Sequence, residues 1–517
     1  MRQRPLFSLS IAAAAIVSLP TGRLTAQAVE RTDTPRRGAL RVTFDPRITT
    51  WEEVFTPGGR QPLGAAFAGD SLTQWQPALA LAQGNVRAAT GLAGYVARLG
   101  GSLLAIRSER RVTPIELEYG LTNRLSLGAT IPIVRVEVRE RFREKPEGSN
   151  VGALPDPSGY ATFFTSLNTA LTQLNDSIAA GAYGCPSSPL CARAQALFSQ
   201  GQTLASALAG AVNGNPDTIA MFLPTAGSEA GRQISAIVSG LSRALADTFN
   251  IAAFSSGTFL LPEVPVPGSA TATILGDRLT SLGLAPFGGS TPRHLRYFAG
   301  DAEVAAKYRL LSADAYAAAV ALVVRLPTGH QDSPNDAFDL ATGDHQTDVE
   351  GRFSGELTVW HRLWLNVSLR GARQLPGQRE RRIGPVDQPF LPATTFARLR
   401  WDPGDYVAMD VAPLYRFSRL FAAGVTFGYF AQQQDHYAFL SPQDSLDVVT
   451  RTGGPIAPAV LEAGTGIRQA RVGVAATFSG PRLEGGFSVE RTISGAGGPV
   501  PGATVFRIVM RQTILLF

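Results

Sequence analysis

Five histidines (His294, His330, His345, His361 and His436) and two cysteines (Cys185 and Cys191) are the residues of widest chemical reach in this chain of 517 residues. No two histidines fall at the His-x-x-x-His or His-Glu-x-x-His spacing that places two imidazoles on one helix face for zinc. No serine stands in a nucleophile elbow. The run Gly495-Ala496-Gly497-Gly498 has no following Lys-Ser or Lys-Thr pair, so it reads as a turn and not as a phosphate cradle. Asp332, Asp336, Asp339, Asp344 and Asp348, with His330 and His345, make an acidic stretch. Its oxygens could ligate Ca²⁺, but the regular spacing of a known calcium loop is missing, and a solvated acidic loop is the plainer reading. No catalytic residue, metal ligand or cofactor is expected, and the chain does not read as an enzyme.

A second set of polar residues lies at alternate positions within otherwise apolar segments. It comprises Asp301, Glu303, Lys307 and Arg309, then Arg325, then Glu350, Arg352 and Glu356, with Arg370, Asp410, Arg416, Glu484 and Glu490. In a strand, alternate residues share a face. If these strands cross a lipid bilayer, each such charge on the lipid side would cost several kcal/mol, about 2–4 for Arg or Lys at the midplane. They are therefore candidates to face a lumen. Two consequences stay open: a water-filled path, or ion pairs that fill a closed interior.

The elements that must position these charges are strands. Between Tyr406 and Phe417, Val407, Met409, Val411, Pro413, Tyr415 and Phe417 alternate with Tyr406, Ala408, Asp410, Ala412, Leu414 and Arg416. Ile467 to Phe478 alternates similarly, with imperfect parity around Arg471. Such lengths match the 9–11 residues of an outer-membrane strand. Short turns are expected at 121–124, 312–314, 361–362, 418–419 and 480–481. Long connections are expected at 50–98, 145–293, 330–344, 375–404, 433–463 and 493–502. Short and long alternate, as in bacterial barrels with short periplasmic turns and long external loops. The fold class expected is all-β: a transmembrane antiparallel β-barrel of about twelve strands (twelve to fourteen), with an α-helical insertion between strands three and four.

Residues 1–28 read as a secretory signal. Arg2 and Arg4 precede the apolar run Leu6 to Leu19, and Ala26-Gln27-Ala28 offers a cleavage site after Ala28. Beyond it no run approaches the roughly 20 apolar residues of a membrane helix. The formal charge of +6 includes Arg2, Arg4 and Arg23 of that signal. What remains is too small to argue for nucleic acid. Nearly all cations are arginine, Lys145 and Lys307 being the only lysines. Arginines at a barrel rim suit lipopolysaccharide phosphates, so outer-membrane lipid and lipopolysaccharide are the expected partners. A GC-rich genome is the alternative cause.

Four regions follow: the signal at 1–28, the first strands with a long external loop at 29–144, a helical insertion at 145–293, and the remaining strands at 294–517. In the insertion Tyr160, Phe163, Phe164, Leu167, Leu171, Leu174 and Ile178 recur at helical spacing, as do Ile234, Ile237, Val238, Leu241, Leu245 and Phe249. Cys185 and Cys191 lie between the stripes. In an exported chain an isolated close pair reads as a disulfide. Whether this body caps the mouth or enters the lumen stays open.

The chain ends in a strand closing on Phe517, which resembles the sorting signal read by the barrel assembly machinery during biogenesis. A terminal edge strand is a template for strand addition. Phe506, Ile508 and Met510 share one parity, Leu515 and Phe517 the other. That conflict would place Arg511 against lipid unless a bulge near Gln512 intervenes, or unless both faces are partly apolar. Residues from about 298 onward resemble the outer-membrane transporter family associated with meta-pathway degradation of phenols, itself similar to long-chain fatty-acid channels. The matching pieces are Gly300-Asp301, Lys307-Tyr308-Arg309-Leu310, Arg325-Leu326-Pro327-Thr328-Gly329, Gly343-Asp344 and the hairpin Glu118 to Gly128. The resemblance implies a porin-like or hydrophobic-solute transport channel. The alternative is a non-transporting adhesion or structural barrel whose helical insertion binds a partner. A lipid-modifying enzyme is the third reading. The sequence does not identify a transported solute.

Overall fold

The computed structural model describes residues 30–516 except 68–75, 101–102, 144–147, 256, 286–292, 337, 361, 386–387, 389, 419 and 481–482. The expected cleavage site at Ala28 and the assembly residue Phe517 lie outside the described residues.

Twelve antiparallel strands close into one barrel. The first, β1, is broken into Ala39–Phe44 and Arg47–Trp51. Then come β2 (Leu103–Gly120) and β3 (Leu125–Arg143). β4 is broken into Arg293–Ala299 and Glu303–Ser312. β5 (Tyr316–Arg325), β6 (Asp348–Trp360), β7 (Leu363–Gln374) and β8 (Tyr406–Arg416) follow. The series ends with β9 (Phe421–Gln432), β10 (Arg468–Ser479), β11 (Leu483–Ala496) and β12 (Thr504–Leu515). Each strand pairs with its neighbours in sequence, and β12 closes on β1 from Ala39↔Leu515 to Phe44↔Met510. Closure leaves no free sheet edge.

Side-chain alternation explains the closure. On β8 Val407, Met409, Tyr415 and Phe417 are exposed on the outside, while Ala408, Ala412 and Leu414 are buried inside. On β12 Phe506, Ile508 and Met510 are exposed outward, and Val509 is buried. The register of β12 with β1 runs unbroken through Thr43↔Arg511 and Val42↔Gln512. The bulge expected near Gln512 is thus not there. Arg511 shares the inward parity of Arg507 and Val509, and the change to apolar residues on that parity begins only at the strand end, with Leu515 at the rim. The alternation of β10 is itself regular, with Arg471 inward and Arg468 on the outward parity at the long-loop end; the irregularity lies in its partner, where the register shifts between Ala470 and Arg471 and leaves Ile493 as the extra residue on β11.

The short turns hold themselves. Thr122 Oγ accepts from the backbone of Arg124 and Leu125 at 3.1 and 2.9 Å, and Ser418 Oγ accepts from Leu420 and Phe421 at 3.2 and 3.1 Å. Side-chain turns of this kind let a few residues reverse the chain.

At the opposite, long-loop end stands a helical body. It contains α1 (Pro77–Thr90), α2 (Ala161–Ala179), α3 (Pro189–Asn213), α4 (Glu229–Arg243) and α5 (Gly268–Ser281). Serine hydroxyls cap two of these: Ser188 accepts from Cys191 at 2.9 Å and Ser228 from Gly231 at 3.0 Å. The apolar stripes bury Phe163, Leu167, Leu171 and Leu174 of α2 and Ile234, Val238 and Leu241 of α4 in one core, in which α2 packs on α3. That core also takes Leu79 and Val86 of α1, from the loop between β1 and β2. The body is therefore not drawn from residues 145–293 alone. A separate helix, α6 (Pro442–Thr452), lies between β9 and β10. Cys185 and Cys191 form a disulfide. Among the described residues no helix is long and apolar enough to cross a membrane.

Candidate functional site: the lumen

The barrel interior is a lattice of charge. On one wall Arg325 of β5 reaches Glu303 of β4 at 3.1 Å and Asp348 of β6 at 2.7 Å. Arg352 of β6 reaches Glu303 at 2.9 Å and also pairs with Glu350, which accepts from the Tyr406 hydroxyl. The chain of contacts continues through Asp410, which takes Arg370 at 3.1 Å and Arg471 at 3.0 Å, to Glu490 at 3.8 Å from Arg471. On the other wall Asp45 takes Arg507 at 2.7 Å and Arg47 at 2.6 Å. Arg41 and Glu118, both buried, meet at 3.0 Å, and Glu118 also accepts from Ser126 at 2.6 Å. The pairing follows from register: alternate residues of neighbouring strands come level on one face.

Of the residues singled out from sequence, Asp301, Glu303, Lys307, Arg325, Arg352 and Arg370 line one central cavity. Glu350, Asp410 and Glu490 stand behind it in the lattice just described. Glu484 and Glu356 meet a segment at the start of the region 29–144 to which the sequence assigned no role. Residues 30–38 run into the lumen from the short-turn end. Arg31 pairs with Asp33 and Glu484, and Thr32 donates to Glu356 at 2.8 Å. The Arg31 carbonyl accepts from Ser354 at 2.8 Å, and Glu30 reaches Arg352 at 3.4 Å. Arg309 and Arg416 lie nearer the short turns. Arg309 donates to the Asn123 carbonyl at 2.7 Å, and Arg416 stacks on Trp364 at 3.4 Å.

Gly120 explains how the segment enters. A Cβ there would stand 2.2 Å from the Arg36 carbonyl oxygen and 2.5 Å from that of Pro35, so only glycine admits the chain at this point. The signal that could have revealed the segment is the string Glu30-Arg31-Thr32-Asp33 ahead of β1, with both charge signs and no helix or strand pattern of its own. Glu118, Arg471 and Arg507 were also missed, as were Arg41 and Asp45, where the break in β1 between Phe44 and Arg47 obscures the period of two.

At the long-loop end the cavity is bounded by the connection after β5. Asp301 accepts from the backbone of Gly329 and Asp344, each at 2.7 Å. Thr328 donates to the Gly300 carbonyl at 2.7 Å and accepts from the Ala302 backbone at 2.8 Å. The three short motifs at 300–301, 328–329 and 343–344 thus assemble into one knot, which folds Thr342, Gly343 and Asp344 over the lumen. The acidic loop is only partly solvated: Asp344, His330 and His345 stay exposed, while Asp332 and Asp339 are held in ion pairs. Asp332 takes Arg379 at 2.7 Å and Arg381 at 2.8 Å. Asp339 takes Arg296 at 3.2 Å.

Between segment and loop lies a cavity of about 410 Å³. That is within the 300–1,000 Å³ typical of small-molecule sites, and its walls are charged where those sites are mostly apolar.

An outward apolar belt and a charged interior, partly occupied by the chain's own ends and loops, define a membrane-type β-barrel. No family model matches the chain, and no curated protein does. Among solved structures it is similar to the COG4313 outer membrane channel from Pseudomonas putida F1, at 8% identity over 94% of this chain and 100% of that one, with a TM-score of 0.42. It is also similar to the Ralstonia pickettii toluene transporter TbuX, at 7% identity over 92% and 89%, TM-score 0.27. The NanC porin aligns at 8% identity over 43% and 82%, TM-score 0.23. At such values function has to be read from the lumen itself.

Proposed function

We propose that the protein is an outer-membrane solute channel of the porin-like kind, with the short turns in the periplasm and the helical body covering the external mouth. One observation carries this reading: a charged cavity of about 410 Å³ lies inside the barrel between two removable obstructions, residues 30–38 and the loop at 342–344. A barrel kept only for adhesion would be served by an interior packed shut. Charged walls hydrate and favour small polar solutes over apolar ones. The cover is supported by packing: Leu104 and Ile106 of β2 and Val138 of β3, at the long-loop ends of their strands, belong to the same core as the helices. Lipopolysaccharide is the proposed partner at the rim, where Arg107 and Arg139 stand more than half exposed.

The test is single-channel conductance in planar bilayers. The intact barrel should conduct weakly, and a chain lacking Glu30–Arg36 should conduct several-fold more. Equal, negligible currents from both would overturn the channel reading. Liposome swelling with aromatic hydrocarbons alone, and none with polar solutes, would favour a hydrophobic-solute channel instead.

A further inference from the structure

The lattice pairs most lumen charges, and the exceptions are instructive. Among the described residues lining the cavity, three cations meet no carboxylate in a hydrogen bond or ion pair: Arg110, which donates instead to the Thr342 carbonyl at 3.2 Å, and the pair Lys307 of β4 and Arg511 of β12. Both stand on one continuous arc of wall, β12–β1–β2–β3–β4. Thr43 pairs with Arg511 on one side and Glu116 on the other. Glu116 in turn pairs with Thr130, and Ser126 pairs with Lys307. Glu116 is the carboxylate placed between the two cations, and both act on it electrostatically. Asp33 also acts on Lys307 and Asp45 on Arg511, but both carboxylates are already held in ion pairs with other arginines, which leaves the two cations in excess over Glu116. Arg31 and Arg507 add to the positive field around Arg511, although each of those has its own carboxylate.

The wall between these cations is cut back. Gly128 and Ala305 line the cavity there, and a Cβ on Gly128 would make only ordinary contacts, with the Leu117 carbonyl oxygen at 3.6 Å and the Ala305 methyl at 3.8 Å. Space and uncompensated positive charge coincide. An open pocket with a guanidinium and an ammonium outside the ion-pair lattice matches a compact anion: the guanidinium offers a two-pronged donor and the ammonium a point charge.

We infer that this arc of the lumen is a binding site for small carboxylates, with Arg511 and Lys307 as its two donors. The inference rests on the channel reading for its biological sense, since it names the class of solute the cavity holds. Its chemistry stands on the geometry alone. Glu116 opposes the bound anion and tunes the site toward weak, exchangeable binding, which a conducting path requires.

Isothermal titration of the full-length, detergent-folded protein with succinate as probe tests this. Saturable binding is expected, weakened about tenfold or more in Arg511→Gln, as loss of one charge-assisted donor implies. Lys307→Gln should act likewise, Arg511→Lys should retain much of the affinity, and Glu116→Gln should bind tighter than the native chain. Heat-modifiable gel mobility establishes that each variant is folded. Absence of saturable binding by the native protein overturns the site, as does equal affinity in both glutamine variants or weaker binding by Glu116→Gln. Conductance separates the two readings: an open channel that does not bind succinate removes the site and leaves the channel. Succinate binding by a barrel that never conducts removes the channel and leaves the site.

Discussion

Arg382 donates to the carbonyl of Leu282 at 2.7 Å and thereby ties the residue following α5 to the strand Gly377–Arg382, which continues from β7 beyond the barrel. The same guanidinium donates to Leu391 and Gly283 carbonyls, each at 2.6 Å, and to the Asn335 side chain at 2.8 Å. It is buried, and three separate connections converge on it. Arg382→Met should leave those carbonyls without donors, at roughly 1–3 kcal/mol each where water cannot replace them. The expected result is faster proteolysis of the helical body with unchanged heat-modifiable mobility of the barrel. Equal proteolysis rates would show that the apolar core alone holds the body in place.

The neighbouring contact is pH-dependent in a defined direction. Burial pushes the Asp332 carboxyl up, but Arg379 and Arg381 outweigh it and hold the group well below the usual carboxylate range. A depressed native value means that the unfolded loop takes up its proton first. The contribution is therefore complete above the unfolded value of about 3.9 and is lost as pH falls through the native one. Arg379 lies over the Trp401 ring at 4.6 Å, so Trp401 emission reports the contact. Emission should stay flat from neutral pH down to about pH 4 and change only below that value. Trp401→Phe supplies the blank, and a transition near pH 6 would assign control to another group.

Much of this architecture is legible in sequence, for a physical reason. A strand with lipid on one side and water on the other alternates strictly, so Val407 to Phe417 declares its faces without a structure. The short turns declare themselves through Thr122 and Ser418. What stays hidden depends on register or distance. Arg511 reads as misplaced until its level with Thr43 is known. The helix α1 offers no strong stripe, since its buried positions include Ala78, Ala82 and Ala89 beside Leu79 and Val86. The path of residues 30–38 is set by Gly120, far away in the chain, and by Arg41, whose partner Glu118 is equally distant. Position in a lumen is a property of the closed barrel, and no local pattern encodes it.

Arg41 offers a test of the lumen's energetics. It bridges Glu118 at 3.0 Å and Asp33 at 2.7 Å, joining the barrel wall to the inserted segment. Arg41→Met leaves Asp33 with Arg31 but Glu118 with only the Ser126 hydroxyl, a buried carboxylate without its cation, which should cost about 3 kcal/mol. The barrel should lose its heat-modifiable form at lower temperature. Adding Glu118→Met should restore part of the loss, because an unpaired buried charge costs more than an absent pair. A double variant no more stable than Arg41→Met would mean that water already compensates Glu118.

The disulfide gives the clearest measure of sidedness. Cys185 is partly exposed and Cys191 fully buried at the start of α3, and the bridge spans a sequence separation of 6. On chain entropy so small a loop contributes no more than about 2–3 kcal/mol, and that contribution falls on the junction between α2 and α3, away from every barrel strand. Replacing both cysteines with serine should therefore leave barrel assembly and heat-modifiable mobility unchanged, while the helical body unfolds more readily in urea. With the native pair reduced on intact cells, a membrane-impermeant maleimide should modify Cys185 well before Cys191, since Cys191 becomes accessible only when α3 frays. Labelling of Cys185 that appears only after the outer membrane is broken would put the helical body on the periplasmic side and reverse the orientation of the barrel.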